Sequence, residues 1–261
     1  MRALSIAASG MQAQQLNVDV ISHNIANMNT TSYKRQRAEF QDMLYQNMER
    51  PGSTSSASGA VLPLGIQLGV GVRADAVGRV TEQGGIAATQ NPYDLAINGR
   101  GFFQITLPSG QTGYTRAGNL AVNADGQIVT ADGYPLEPAI TVPPEATAIQ
   151  ITRDGLVEVT LAGQTDPQQL GQLEIASFIN PAGLEAIGDN MYLETPASGS
   201  PNTATPGSPG LGTVMQGYLE LSNVNAVEEI SALIVAQRAY EMNARVITAA
   251  DEMLQSTTQL R

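Results

Sequence analysis

Few residues in this chain could carry out chemistry. The single histidine, His23, has Asp19 four residues before it, which permits one hydrogen bond on a helix but supplies no third partner for nucleophilic catalysis or metal binding. Cysteine is absent, which excludes disulfides, thiolate metal ligands and cysteine nucleophiles. Three pairs have a spacing that fits no calcium-binding loop and is typical of turns between strands: Asp125-Gly126, Asp132-Gly133 and Asp154-Gly155. We therefore predict that the chain is not an enzyme and uses no cofactor or metal ion.

Charge and composition narrow the classes of partner. The 261-residue chain has a net charge of −11 and one lysine, Lys34, which argues against nucleic acid and against anionic membrane surfaces. We interpret the short basic run Lys34-Arg35-Gln36-Arg37 as a solvated face or a subunit contact. No apolar run approaches the roughly 20 residues that span a bilayer. We interpret the start of the chain as mature structure, so that export would not involve a cleaved signal peptide.

The two ends of the chain carry the pattern of packed helices. Apolar residues recur there every seven residues, which is typical of helices that bury a narrow seam against other helices. The seams are rich in alanine, which favours helix pairing within or between subunits over burial on a core. We predict a discontinuous coiled-coil domain from residues 1–30 and 222–261. The predicted assembly seam consists of Leu4, Met11, Val18, Ile21, Ile25, Leu233, Tyr240, Ile247 and Leu254.

The middle of the chain carries the pattern of short strands. Strand-like runs spaced by about 8–12 residues and separated by turn residues indicate a central β domain over residues 73–196. The polar segments 31–72 and 197–221 are predicted to connect it to the helices. Within 31–72, an extended hairpin arm is expected at residues 61–72, because apolar residues alternate with glycine there. The predicted fold class is therefore α+β: N- and C-terminal α-helices forming a coiled-coil layer, with a central mostly antiparallel β domain.

Several of these segments resemble one protein family. Ser22–Lys34 resembles the N-terminal signature of the flagellar rod and hook proteins, and Ser222–Ile230 with Ala236–Glu241 resembles their C-terminal signature. Gly99–Phe103 and Tyr114–Leu120 are similar to their shared central domain. The resemblance covers essentially the whole chain. It identifies the chain as a member of the flagellar basal-body rod family.

Two details refine the resemblance. The chain length and the glycine-rich segment Leu64–Val72 look most like the distal-rod members of the family. Ser32 departs from the pattern, because the family commonly has glycine before the aromatic residue at this point. Glycine would allow a positive φ angle, so the turn geometry at Ser32 is an open question for the structure.

The resemblance implies a structural and mechanical function. Rod proteins polymerise helically into a tubular drive shaft that transmits torque from motor to hook, with the terminal helices as an inner coiled-coil layer. The implied partners are further copies of the chain, proximal-rod and hook-family axial proteins, the surrounding basal-body ring proteins and the flagellar export apparatus. The implied location is the periplasm-spanning rod of the basal body.

Two alternatives remain open from the sequence. The nearer one is another axial protein of the same family, from the proximal rod or the hook. The other is a secreted β-rich carbohydrate-active or carbohydrate-binding protein, which should show paired carboxylates or exposed aromatic side chains in a cleft. The chain has no Trp and four Phe residues, so the second alternative has little support.

Overall fold

The computed structural model describes residues 2–49, 65–163 and 166–259, which form two compact units. The first unit comprises Met1–Ala26, Gln36–Gly78 and Asn225–Arg261. The second comprises Asn27–Arg35 and Arg79–Val224. The terminal helices belong to the first unit and most strands belong to the second. The predicted α+β class, with a helix near each end and a mostly antiparallel middle, is confirmed.

Two long helices, α1 (Arg2–Ala26) and α2 (Ala226–Gln259), lie against each other in the first unit. The start of α2 is capped by Asn225, whose side-chain oxygen accepts a hydrogen bond of 3.1 Å from the Val227 amide. Glu228 and Glu229 follow in the first turn, where the helix dipole favours negative charge. The sequence of this end therefore specifies where the helix begins.

Among the described residues of the first unit, four strands accompany the helices: β1 (Gln36–Asp42), β2 (Tyr45–Glu49), β3 (Ile66–Gly69) and β4 (Val72–Arg79), whose last residue belongs to the second unit. β1 pairs with β4, and β2 pairs antiparallel with β3 so that Tyr45 lies opposite Gly69. Strand β3 falls within the predicted hairpin arm, residues 61–72, and pairs there with β2. Residues 61–64 of that arm lie outside the described residues.

The second unit is built from short strands joined by turns. Its described strands are β5 (Ile86–Ala88), β6 (Leu95–Asn98), β7 (Phe102–Thr106), β8 (Thr112–Thr115), β9 (Leu120–Val122), β10 (Ile128–Thr130), β11 (Leu136–Glu137), β12 (Ala146–Ile151), β13 (Leu156–Leu161), β14 (Gln168–Gln172), β15 (Ile175–Ser177), β16 (Glu185–Gly188), β17 (Met191–Leu193), β18 (Asn202–Ala204), β19 (Thr213–Gln216) and β20 (Tyr218–Glu220). A single 3₁₀ turn, Pro181–Gly183, precedes β16.

The central sheet of the second unit has seven strands in the order β16-β17-β8-β7-β15-β18, and β11 pairs with β7 off this path. A three-stranded sheet, β12-β13-β14, lies in the same unit. The remaining pairs are β9 with β10, β6 with β19 and β5 with β20. The strands within residues 197–221 thus pair with other strands of this unit. Every strand pair of the unit whose register is described is antiparallel.

Strand β7 shows how the sheet is buried on both faces. Side chains alternate along a strand, so Phe103 and Ile105 point to one face and Phe102 to the other. Phe103 and Ile105 join the large aliphatic core of the unit, together with Ile175 of β15. Phe102 packs in a smaller aromatic cluster on the opposite face, which Tyr114 of β8 also joins. The sheet therefore packs against a hydrophobic cluster on each of its two faces.

The three Asp-Gly pairs form turns, as their spacing predicted. Gly126, Gly133 and Gly155 have φ angles of 79°, 88° and 79°, which glycine adopts without steric cost. The turn before Gly126 is held by Asn123, whose side-chain oxygen accepts hydrogen bonds from the amides of Asp125 and Gln127 at 3.0 and 2.8 Å. These aspartates therefore act as turn residues between strands.

Gly84 and Gly85 provide a matched test of packing in the second unit. A Cβ atom on Gly84 would lie 2.0 Å from the Leu221 carbonyl oxygen, whereas one on Gly85 would meet only the tip of the Leu221 side chain at 3.9 Å. We expect Gly84→Ala to lower the free energy of unfolding by about 1–3 kcal/mol. Gly85→Ala should be neutral or stabilising by less than about 1 kcal/mol. Urea unfolding followed by near-ultraviolet circular dichroism measures both, and equal effects would contradict the predicted clash.

Candidate functional site

A buried ionic cluster lies in the second unit, and we call Lys34, Arg116 and Glu220 the Glu220 cluster. The Lys34 Nζ atom lies 2.6 Å from Glu220 Oε1, and Arg116 Nε lies 2.5 Å from Glu220 Oε2. The Glu220 side chain is 1% exposed. One carboxylate therefore balances two cationic side chains, and each of its oxygens accepts from one of them.

The remaining polar atoms of the Glu220 cluster bind backbone groups. The Arg116 guanidinium donates to the carbonyl oxygens of Ile97, Gly99 and Gly101 at 3.1, 2.7 and 2.9 Å. Lys34 Nζ also donates to the Glu82 carbonyl oxygen at 2.8 Å. The Gly84 amide donates to Glu220 Oε1 at 2.9 Å. These bonds hold two backbone segments, residues 82–84 and 97–101, against the charged groups, so the role of the cluster is structural.

Burial controls the protonation of Lys34. Removal from water lowers the pKa of Lys34 below its ordinary 10.5, while the Glu220 carboxylate partly opposes this and Arg116 adds to it. Over the pH range between the lowered value and 10.5, the unfolded chain holds a proton on this lysine that the folded chain has released. This group therefore makes the folded state more stable as the pH rises through that range.

The position of Lys34 corrects one expectation. The sequence suggested a solvated face or a subunit contact for the basic run that begins with Lys34, but its side chain is buried among groups of its own chain. Arg37, in the same run, is exposed and forms a surface ion pair with Glu39 at 2.8 Å. All three residues of the Glu220 cluster lie in or beside the segments that carry the family resemblance. That clustering was the signal that could have identified them.

Ser32 resolves the question raised by its departure from the family pattern. Its φ angle is 58°, in the left-handed region that favours glycine. The serine hydroxyl donates to the Arg116 carbonyl oxygen at 2.8 Å, and the serine amide donates to the Glu220 carbonyl oxygen at 2.8 Å. These two buried hydrogen bonds offset the steric cost of the conformation.

A second buried polar contact joins three elements of the first unit, and we call it the Asn24 bridge. The Asn24 side chain of α1 accepts from the Gln36 amide at 2.9 Å and donates to the Gln36 carbonyl oxygen at 2.8 Å. It also donates to Glu229 Oε2 of α2 at 3.1 Å. Asn24 and Glu229 are both buried. The bridge thus ties α1, β1 and the first turn of α2 together.

The structure places the predicted seam residues at different depths. Ile21 is buried, Tyr240 is exposed, and the other seven are half-buried: Leu4, Met11, Val18, Ile25, Leu233, Ile247 and Leu254. The most buried apolar positions of the helices include the small residues Ala7, Ala236 and Ala250. A Cβ atom on Gly10 of α1 would lie 3.0 Å from the Asn243 side chain of α2, so the two helices approach closely there. The intersubunit role of the seam remains a prediction.

Helix α2 has a column of residues on its α1-facing side, at positions that alternate in steps of three and four. We call it the inner column, and it contains four predicted seam residues. Its members are Leu233, Ala236, Tyr240, Asn243, Ile247, Ala250 and Leu254. A second column runs along the same helix, displaced by one residue and therefore rotated by about 100°. We call it the outer stripe, and it consists of Ala232, Val235, Ala239, Met242, Val246, Ala249 and Met253.

The outer stripe is apolar throughout yet largely exposed to solvent within one chain. Val235 is 67% exposed and Met242 is 60% exposed. Val246 and Met253 are exposed as well. Contiguous apolar surface of this kind marks interaction sites on soluble proteins. This column is hard to recognise in the sequence, because the larger side chains of the inner column dominate the seven-residue pattern.

The described residues contain no group of three or more His, Asp or Glu side chains placed to hold a metal ion. Neither helix, over its described length, is long and apolar enough to cross a bilayer. The Glu220 cluster, the Asn24 bridge and the two helices therefore have structural roles: they hold elements of the chain together.

Three family models match the chain. Residues 4–34 match the flagella basal body rod protein, and residues 215–260 match the flagellar basal body rod FlgEFG protein C-terminal. Residues 96–159 match the flagellar hook protein FlgE/F/G D1 domain. The terminal matches include Asn24 and Glu229 of the Asn24 bridge and the whole outer stripe, and the central match includes Arg116 of the Glu220 cluster.

Similar proteins cover the chain from end to end. The flagellar basal-body rod protein FlgG of Caulobacter vibrioides is 61% identical over 100% of both chains. FlgG of Agrobacterium fabrum is 53% identical over 97% of both chains, and FlgG of Bacillus subtilis is 38% identical over 100% of this chain and 99% of its own. The chain belongs to the flagellar basal-body rod proteins. It is a structural subunit of the rod in the flagellar basal body and not an enzyme.

The predicted family is therefore confirmed, including its distal-rod branch, because the relatives carry the name of the distal-rod protein, FlgG. The alternative of a carbohydrate-active or carbohydrate-binding protein is excluded.

The Glu220 cluster predicts a large cost for a small chemical change. Glu220→Gln keeps the shape of the side chain but leaves Lys34 and Arg116 buried without a counter-charge. We expect the free energy of unfolding to fall by about 3–5 kcal/mol. The matched control Glu39→Gln removes the exposed partner of Arg37 and should cost less than about 1 kcal/mol. Urea unfolding measures the difference, and similar values for the two variants would refute the role of the cluster.

The Asn24 bridge predicts a charge conflict that can be relieved. Asn24→Asp removes the donor to Gln36 and places a second carboxylate beside Glu229, so we expect a loss of about 2–4 kcal/mol in the free energy of unfolding. Adding Glu229→Gln restores a donor between the two side chains and should recover about half of the loss. Urea unfolding followed by circular dichroism at 222 nm measures the helices directly. The absence of any rescue in the double variant would contradict the bridge.

Proposed function

We propose that the chain polymerises helically into the tubular distal rod, a drive shaft that transmits torque from motor to hook. The observation that carries this proposal is the outer stripe of α2. A rod subunit needs a surface that gains stability only when other subunits are present. The outer stripe supplies such a surface on the helix that also carries the inner column.

The two columns of α2 support a layered assembly. A helix that is apolar on more than one face is stable in water only when it is buried between neighbours. The inner column lies on the side of α2 that packs against α1 of the same chain. The outer stripe repeats with the same steps of three and four, the period of a coiled-coil seam. In the proposed tube, α1 and α2 form the inner coiled-coil layer, and the outer stripe joins each pair to its neighbours.

The geometry of stacking follows from the position of the stripe. One subunit would present its outer stripe to a different surface of the next subunit, which is a heterologous contact. Heterologous contacts that do not close a ring generate open helical polymers. Each large apolar side chain removed from water contributes about 1.5–3 kcal/mol. Repetition along several turns of α2 makes assembly cooperative, as a stiff shaft requires.

The proposed partners are those of a rod in its surroundings. Further copies of the chain form the tube, and proximal-rod and hook-family axial proteins, which have related terminal helices, join its two ends. Basal-body ring proteins surround it, and the flagellar export apparatus delivers its subunits. The proposed location within the basal body is the segment of the rod that spans the periplasm.

Val246 and Thr248 provide a matched test of the outer stripe. Both are exposed on α2, but only Val246 belongs to the stripe. We expect Val246→Asp to raise the critical concentration for polymerisation at least about tenfold, because a charge replaces a side chain that assembly buries. Thr248→Asp should assemble like the unaltered protein. Sedimentation and electron microscopy measure assembly, and circular dichroism verifies equal helix content. Normal filaments from Val246→Asp would refute the proposal.

A further inference from the structure

A cavity of about 430 Å³ opens in the second unit, on the aromatic side of its central sheet. Phe102, Phe178 and Tyr192 line it, with Leu184 of the turn before β16. We call it the aromatic pocket. The Phe102 and Phe178 rings meet edge to face with centroids 5.9 Å apart, which holds this wall rigid. Its volume lies within the roughly 300–1,000 Å³ typical of ligand sites.

The charge of the aromatic pocket is opposite to that of the chain. Four cationic side chains line it, Lys34, Arg79, Arg100 and Arg116, together with one acidic residue, Glu82. The chain as a whole carries a net charge of −11. Cationic groups are scarce in this sequence, so their convergence on one cavity produces a local positive potential. Such a site attracts a carboxylate.

Two of these cations differ from the others in their surroundings. Lys34 and Arg116 are held by Glu220, as described above. The Arg79 guanidinium lies 5.3 Å from the centre of the Tyr192 ring and donates to the Leu184 carbonyl oxygen at 3.3 Å. This contact leaves it the capacity to donate to a carboxylate as well. Arg100 is exposed at the rim. Arg79 and Arg100 are therefore the groups that an incoming anion would meet.

An exposed apolar residue, Ile179, lies at the aromatic pocket. Ile179 lines the cavity and is 93% exposed. The adjacent strand β16 is an edge of the seven-stranded sheet among the described residues, and Ile187 on it is exposed too. An aliphatic side chain with almost no burial, placed beside an aromatic wall, marks a surface that another protein covers.

We propose that the aromatic pocket receives a segment from a second copy of this chain, in which a carboxylate adjoins an apolar side chain. The apolar side chain packs on Phe102 and Phe178, and the carboxylate accepts hydrogen bonds from the guanidinium groups of Arg79 and Arg100. A second copy fits because its surface is strongly acidic. This inference rests on the proposed function, since polymerisation brings copies of one chain side by side.

The experiment uses a photoreactive label beside the pocket in the full-length chain. The sequence has no cysteine, so Ile179→Cys creates a single thiol that a benzophenone maleimide labels uniquely. The labelled protein is concentrated to assembly conditions and illuminated, and crosslinked peptides are identified by mass spectrometry. We expect crosslinks between two copies of the chain, on a peptide that contains Asp or Glu next to an apolar residue.

Charge reversal provides the control. Arg100→Glu in the labelled chain should reduce the yield of interchain crosslinks about fivefold. Arg153→Glu makes the same charge change at another exposed position of the second unit that does not line the pocket, and should leave the yield unchanged. The inference would be overturned if crosslinks formed only within the labelled chain, or only to an added protein or additive. Equal crosslink yields in the two variants would overturn it as well.

Electron microscopy of the same samples separates the two proposals. Filaments without charge-dependent interchain crosslinks would overturn the pocket inference and leave the proposed function standing. Charge-dependent crosslinks without filaments would support the pocket and count against helical polymerisation.

Discussion

A single carboxylate, that of Glu220, balances the charge of two cations buried in the second unit. Two cations are buried against it. Lys34 also binds the Glu82 carbonyl oxygen, and Arg116 binds carbonyl oxygens within residues 97–101. Burying two positive charges is unfavourable unless a counter-charge and well-placed hydrogen bonds accompany them. Within the second unit, the cluster joins the segment that follows α1 in the chain to the strand that precedes α2. Two parts of the second unit that are far apart in the sequence, residues 27–35 and β20, therefore meet at the Glu220 cluster.

The helices of the first unit follow a different physical rule. Their contact with each other uses small residues and a polar bridge, which allow close approach, and most of the larger seam residues are only half-buried. Much of the apolar surface of α2 consequently remains on the outer stripe. A helix pair built in this way gains only part of its available stability inside one subunit. The unburied part is the driving force that a polymer can use, and a protein of the rod family needs such a reserve.

Local patterns in the sequence predicted the elements well. Seven-residue periodicity identified both helices, and Asp-Gly pairs identified turns, because each depends on residues close together in the chain. The Glu220 cluster could not be found in this way: Lys34 and Glu220 are 186 residues apart, so nothing near Lys34 indicates that it is buried. The outer stripe was missed for another reason. The inner column and the outer stripe of α2 are displaced by one residue, so their residues lie next to each other in the sequence. The larger side chains of the inner column make its periodicity the more evident of the two.

The burial of Lys34 has a further consequence for the chemistry of the folded protein. It is the only lysine in the chain, so the folded second unit carries no solvent-facing ε-amine. Reagents that acylate amines reach the Lys34 side chain only when the Glu220 cluster opens. The rate at which Lys34 is acylated therefore reports the rate of local unfolding around the Glu220 cluster, and no substitution is needed to measure it.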